Sequence, residues 1–181
     1  RMYGGMATIL DSMKVSSTRD ICRAVGSFSR DRLDLQQNEK QAVESLDKIA
    51  RAQEQFRNGD PYGDGRRTYW IGDLSGLYRF LSEDQPVRLL PKELAEADRA
   101  PLPAGTSGLS PGGNRIPFSG YLFSVVKATE SQFVIAASPS ILGHTGEHTF
   151  VLTQDRKLWK KRGQATPPTE WPGEGWDPMS R

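Results

Sequence analysis

The sequence predicts an α+β fold: one long N-terminal helix packed on a C-terminal antiparallel β-meander of about four strands, with long loops between them. Three observations carry this. Between Asn38 and Phe56 the apolar residues Ala42-Val43, Leu46, Ile49-Ala50 and Phe56 recur at three- and four-residue steps, the spacing of one buried helical stripe. From Gly120 the period changes, and Tyr121–Lys127, Gln132–Ala137 and His148–Thr153 read as strands. The connections between them are short, which joins neighbouring strands antiparallel.

Taken in chain order, residues 1–35 read as a helical arm and 36–181 as the α+β domain. In the arm, Met2, Met6, Ile9-Leu10 and Met13 form a short stripe, either core filler or a soft partner-binding face. Ser17-Thr-Arg-Asp20 has capping-box spacing, after which Ile21, Val25 and Phe28 share a face. The main helix is expected from Asp34 or Asn38 to Arg57. Glu44 with Lys48 and Asp47 with Arg51 are spaced as i,i+4 pairs on its solvated side. Asn58-Gly59 is a stop signal, and Pro61 forbids continuation.

Asp73–Leu81 predicts a short helix with Leu74, Leu77-Tyr78 and Leu81 inward. A second runs from Pro91 to about Asp98, with proline at a tolerated first position. Ala100–Pro117, rich in Pro, Gly and Ser, is a long loop. After the three strands, Asp155-Arg156 turns the chain into a fourth, Lys157–Lys160. Its lysines suit an exposed sheet edge. The tail from Gly163, with Trp171 and Trp176, is extended and pinned to the body by those rings.

The 18 glycines, 12 prolines and 36 % apolar residues allow a modest core and require much ordered loop. A formal charge of +2 supplies no global field to recruit nucleic acid or anionic lipid. Cys22 is the only cysteine, so neither a disulfide framework nor a zinc site built on paired thiols is available. No apolar run approaches the roughly 20 residues that span a bilayer. The chain opens on Arg1, which carries the expectation that a leader or membrane anchor has been removed and that membrane contact is made only through that segment.

Asp60-Pro-Tyr-Gly-Asp64-Gly65 resembles the opening of a calcium loop, in which carboxylates at alternate positions converge on a hard cation. Tyr62 holds the middle ligand position, and the twelfth residue from Asp60 is Ile71 rather than Glu. Asp60 and Asp64 are therefore the metal candidates, with Ca2+ the cation and Asp73 a further ligand only if the loop folds back. The competing reading is a tight turn whose carboxylates bond local amides, with no cofactor. His144-Thr-Gly-Glu147-His148 lacks the order and the helix of a zinc-protease motif. Ser138 has no elbow glycines, and Cys22 has no histidine near it in sequence; no catalytic residue is expected. Arg156, Lys157, Lys160, Lys161 and Arg162 surround Trp159. Such a cluster can grip single strands, but the favoured reading is an edge strand guarded by solvated lysines with Trp159 packed inward, and no nucleic-acid partner is expected.

Asn38-Glu39, Ala42, Leu46, Ile49, Ala50-x-x-Gln53-x-x-Phe56 and Asp60-x-x-Gly-Asp-Gly65 resemble a pilin-like or pseudopilin-like group. That group is abundant in planctomycete-type bacteria and related to subunits of type II secretion and type IV pili. Gly120-Tyr-x-Phe123, Phe133–Pro139, Gly146-x-x-x-Phe150, Trp159-Lys-Lys and Trp171-Pro…Gly175-Trp176 fit the same group, part of which is catalogued only as domains of unknown function. The resemblance covers about Asn38–Asp177. It implies a helical spine on an antiparallel sheet, a cell-envelope or periplasmic setting, other protein subunits as partners, and an assembly role without catalysis. Residues 1–35 depart from the pattern, being too polar for the apolar anchoring helix with which such proteins open. A soluble periplasmic accessory subunit of a larger complex is the alternative reading, and a calcium- or ligand-binding module a further one.

Overall fold

The computed structural model describes residues 18–82, 85–86, 88–99 and 116–180; the side chains of residues 18–31 and of residue 82 lie outside that description. The methionine stripe at Met2–Met13, Ser17, the side chains of Ile21, Cys22, Val25 and Phe28, and most of the loop from Ala100 fall outside it too. The chain divides into two compact units, Arg1–Asp34 and Leu35–Arg181.

Helix α1 runs unbroken from Thr18 to Gly59, starting well before the predicted Asp34 or Asn38. The segment contains no proline, so nothing stops the backbone ladder where the apolar stripe loses its regularity. Its C-terminus lies where the sequence places it: Asp60 takes a left-handed φ of 45° and Pro61 follows. From Leu35 onward the helix belongs to the second unit. Ala42, Leu46, Ile49, Ala50 and Phe56 are fully buried there. Leu46, Ile49 and Phe56 each stabilise the unit by about 2 kcal/mol relative to an exposed position.

The C-terminal sheet has five antiparallel strands in sequence order: β3 (Tyr121–Ala128), β4 (Phe133–Pro139), β5 (His148–Thr153), β6 (Leu158–Arg162) and β7 (Asp177–Met179). The α+β expectation holds, with one strand more than expected. Tyr121, Phe123, Phe133, Ile135, Phe150, Leu152 and Leu158 form one core with the helix stripe. Alternation sends Val134, Ala136 and Val151 to the opposite face, where Trp159, Trp171 and Trp176 cover them. Every residue of β4 is buried, as befits a central strand lined on both faces.

Two predictions about the end of the chain need correction. Strand β6 is not an edge, because β7 pairs on it through Leu158–Met179, Trp159–Pro178 and Lys160–Asp177. Trp159, expected to pack inward, lies instead on the sheet face away from the helix, its ring centroid 5.8 Å from that of Trp171, which in turn stands 5.3 Å from Trp176. The expectation that these rings pin the tail is borne out.

At the other margin, β3 begins from a tight turn in which Ser119 and Gly120 take φ of 50° and 75°, with Phe118 and Tyr121 exchanging both backbone hydrogen bonds. Such a primed turn matches strand twist and needs a residue tolerant of positive φ. The outer side of β3 is partly occupied: Phe123 donates to the Ala97 carbonyl and accepts from the Arg99 amide.

Between helix and sheet lie α2 (Gly76–Arg79), a two-residue ribbon of β1 (Leu81–Ser82) and β2 (Gln85–Pro86), and α3 (Lys92–Glu96). Leu74 and Leu77 are buried as expected, whereas Leu81 is 58 % exposed. The chain leaves the helix for β1 at this point, and Phe80 takes the inward place, meeting Phe56, Tyr62 and Trp70 edge-on. Gln53, fully buried, offers both ends of its amide to the backbone of Trp70, accepting at 2.9 Å and donating at 3.1 Å. That pair satisfies a backbone segment with no ladder partner.

Candidate functional site

The Asp60–Gly65 loop is where the sequence placed its metal candidates. Asp60 Oδ2 accepts from the Gly65 amide at 2.9 Å, and the Asp60 carbonyl accepts from the Gly63 amide at 2.9 Å. Asp64 Oδ1 accepts from the Arg66 amide at 2.9 Å, with the Arg66 guanidinium 3.8 Å from its other oxygen. One oxygen of each carboxylate thus serves its own turn. Tyr62 leans on Phe56 and Phe80, and its hydroxyl pKa is raised, first by burial and then by the Asp64 charge. Asp73 is committed elsewhere: it accepts from the Gly76 amide at 2.9 Å and from the Ser75 hydroxyl at 2.6 Å, and lies 3.8 Å from Arg79. Among the described residues no three His, Cys, Asp or Glu side chains cluster as a metal site.

A second polar junction lies where α1 meets the start of β5. A single oxygen of Glu39 receives the Glu147 amide at 2.8 Å, the His148 amide at 3.1 Å and His148 Nδ1 at 2.9 Å. The acceptor is a carboxylate, so Nδ1 carries the proton in this contact. The His148 carbonyl accepts from the Tyr121 hydroxyl at 2.9 Å. Burial, and secondarily the Glu39 charge, pushes the Tyr121 pKa far up, so the phenol remains a donor.

Two glycines let these groups approach. A β-carbon on Gly146 would stand 1.9 Å from the Tyr121 hydroxyl oxygen, and one on Gly120 would stand 2.7 Å from the Thr145 β-carbon. Asn38 donates to the Thr145 carbonyl at 3.2 Å, and Ser119 bonds Gln41. Asn38, Glu39, Gly120, Tyr121 and Gly146, scattered through the sequence, therefore meet in one place. All five belong to the motifs that carry the pilin-like resemblance, and sequence spacing alone gives them no common task. The signal was there for Glu39, which lies three residues before Ala42 and seven before Leu46, on the stripe's own face.

The basic cluster around Trp159 disperses into separate bonds. Arg156, at φ 62° in the β5–β6 turn, forms a two-pronged pair with Glu54 at 3.1 and 2.8 Å and reaches Asp47 at 2.8 Å. The hydrogen bond to Glu54 is the main reason its pKa is raised. Lys157 pairs with Asp155 at 2.8 Å and Arg162 with Glu147 at 3.0 Å. Lys161 donates to the Glu174 carbonyl at 2.9 Å while lying 5.9 Å from the Trp176 ring centre.

Asp47 forms its predicted pair with Arg51, but this side of the helix is more than a solvated face, since Asp47 and Glu54 also fasten the sheet through Arg156. Ser138 is buried and accepts from Arg99 Nη1 at 2.8 Å. These contacts give the described part of the molecule a chemistry of fastening: carboxylates and guanidinium groups tie distant segments of one chain. No protein family, no curated protein and no solved structure matches this chain.

Proposed function

We propose that the protein is a non-catalytic structural or assembly protein of the bacterial cell envelope, resembling a pilin or pseudopilin subunit, with other protein subunits as its partners. The observation that carries this reading is the long helix α1, whose stripe from Ala42 to Phe56 lies against one face of an antiparallel meander. That is the architecture the sequence resemblance implies. The junction supports it further, because the motif residues Asn38, Glu39, Gly120, Tyr121 and Gly146 share one structural task.

The test is done in the cell that makes the protein. Antibodies against residues 35–181 are used for immunogold microscopy of intact cells, of sheared surface material and of fractionated membranes. Label repeating along filaments, or tracking with an envelope complex in the membrane fraction, supports the reading. Label confined to the cytoplasm refutes it, and label recovered wholly in the soluble periplasmic fraction replaces it with the accessory-subunit alternative.

A further inference from the structure

The helix α1 ends on Asn58-Gly59, and both residues are exposed. We propose that Asn58 is a site of spontaneous covalent modification: deamidation through a succinimide, giving aspartate and isoaspartate at the helix terminus.

The reaction needs the backbone nitrogen of the following residue to attack the asparagine side-chain carbonyl. A bond forms between the Gly59 nitrogen and Asn58 Cγ, and the Cγ–Nδ2 bond breaks. Ammonia leaves with the proton that the Gly59 amide gave up. Water then opens the five-membered ring. Cleavage of the new Cγ–N bond gives aspartate, and cleavage at the original peptide carbonyl gives isoaspartate. Asparagine and water are consumed; an acid and ammonia are produced.

Glycine is the residue best suited to follow the asparagine, because it has no β-carbon to hinder ring closure and the widest backbone freedom. The space around Gly59 is open: a β-carbon there would meet nothing within 4 Å. Ring closure does require the Asn58 backbone to leave its helical conformation. At the last turn of a helix that excursion is cheap, because terminal residues fray.

Other parts of the chain show the contrast. Asn38, also in α1, is half-buried, has its amide held by the Thr145 carbonyl and is followed by Glu39 rather than glycine. At Asp64-Gly65, which could close the same ring by losing water, the Gly65 amide is held by Asp60 and Asp64 itself by the Arg66 amide. The selectivity follows from these bonds.

The product has local consequences. A carboxylate appears at the negative end of the helix, where it is disfavoured. An isoaspartyl link lengthens the backbone two residues before Asp60, whose carbonyl and carboxylate organise the Asp60–Gly65 turn.

The test incubates the folded full chain at neutral and mildly alkaline pH and maps the products by peptide mass spectrometry with fragmentation that separates the two isomers. Asn58 is expected to convert, faster at the higher pH, while Asn38 stays intact. Gly59→Ala, which the open space accommodates, slows conversion by about tenfold through its lost backbone freedom. The same chain in denaturant supplies the unprotected rate for Asn58. If Asn58 stays intact in the folded protein while the denatured chain converts fully, or if Gly59→Ala leaves the rate unchanged, the proposal is overturned.

Discussion

Replacing Gly146 with alanine isolates the junction of helix and sheet in one measurement. The glycine's backbone needs no left-handed conformation, so alanine brings no backbone strain and acts only through its methyl group. That methyl would stand 1.9 Å from the Tyr121 hydroxyl oxygen, 2.5 Å from Cζ and 2.8 Å from Cε2. Tyr121 is fully buried, so the ring has no open space to swing into. Overpacking of this kind costs about 1–3 kcal/mol. Displacing the ring also breaks the bond from the Tyr121 hydroxyl to the His148 carbonyl, at about 1–3 kcal/mol for a buried polar group left unpaired. The two share a cause and do not add fully, so the expected loss is about 3 kcal/mol.

Urea unfolding is the assay. With a denaturant slope of about 1–3 kcal/mol per molar for a small protein, the midpoint drops by about 1–3 M with the slope unchanged. Tyr121→Phe alone should cost about 1 kcal/mol. Combined with Gly146→Ala it should cost less than the sum, because one of the two worst overlaps is with the hydroxyl that phenylalanine lacks. A Gly146→Ala protein within about 0.5 kcal/mol of wild type, or fully additive losses in the double variant, would refute this account of the junction.

Arg156→Met should destabilise by about 1–2 kcal/mol, since a half-exposed two-pronged pair is worth more than an isolated surface pair; the loss should shrink with added salt, and Glu54→Gln in the same background should add little, as urea midpoints will report. Asp155 has its pKa lowered, chiefly by the Lys157 hydrogen bond and then by the Thr153 hydroxyl. Its contribution is present above the unfolded pKa and fades as pH falls through the lower folded one, so a carboxyl carbon NMR titration of Asp155 should read below the usual aspartate range and move upward in Thr153→Val. The melting temperature should be unmoved by millimolar calcium or by chelator, because two carboxylates are too few to hold calcium well and among the described residues no third His, Cys, Asp or Glu side chain joins them; a rise with calcium that Asp60→Asn abolishes would restore the metal reading.

The helix stripe and the inward residues of β3 to β5 were legible in the sequence because each depends on local periodicity. Ala42, Leu46, Ile49 and Phe56 repeat with the turn of a helix, and Tyr121 with Phe123, or Phe133 with Ile135, alternate with the pleat. Strand β7 was illegible because Pro178 lies inside it, and proline argues against a strand unless the strand is an edge. Missing β7 made β6 look like the edge and turned its lysines into guards. The clasp of Arg156 on Asp47 and Glu54, and of Glu39 on His148, spans more than a hundred residues. Only the fold brings such partners together, so spacing could offer the groups but not the bonds. For the candidate loop, the sequence supplied both carboxylates and the competing local-turn reading, and the hydrogen bonds at Asp60 and Asp64 are those of such a turn.

The two flanks of the sheet carry a consequence for how copies could associate. Chain from Ala97 to Arg99 occupies the middle of β3's open side, and β7 is three residues long with a proline at its centre. Neither flank offers an uninterrupted row of amides and carbonyls for a foreign ribbon to zip onto. Copies of this unit are therefore not expected to join by extending the sheet from either flank.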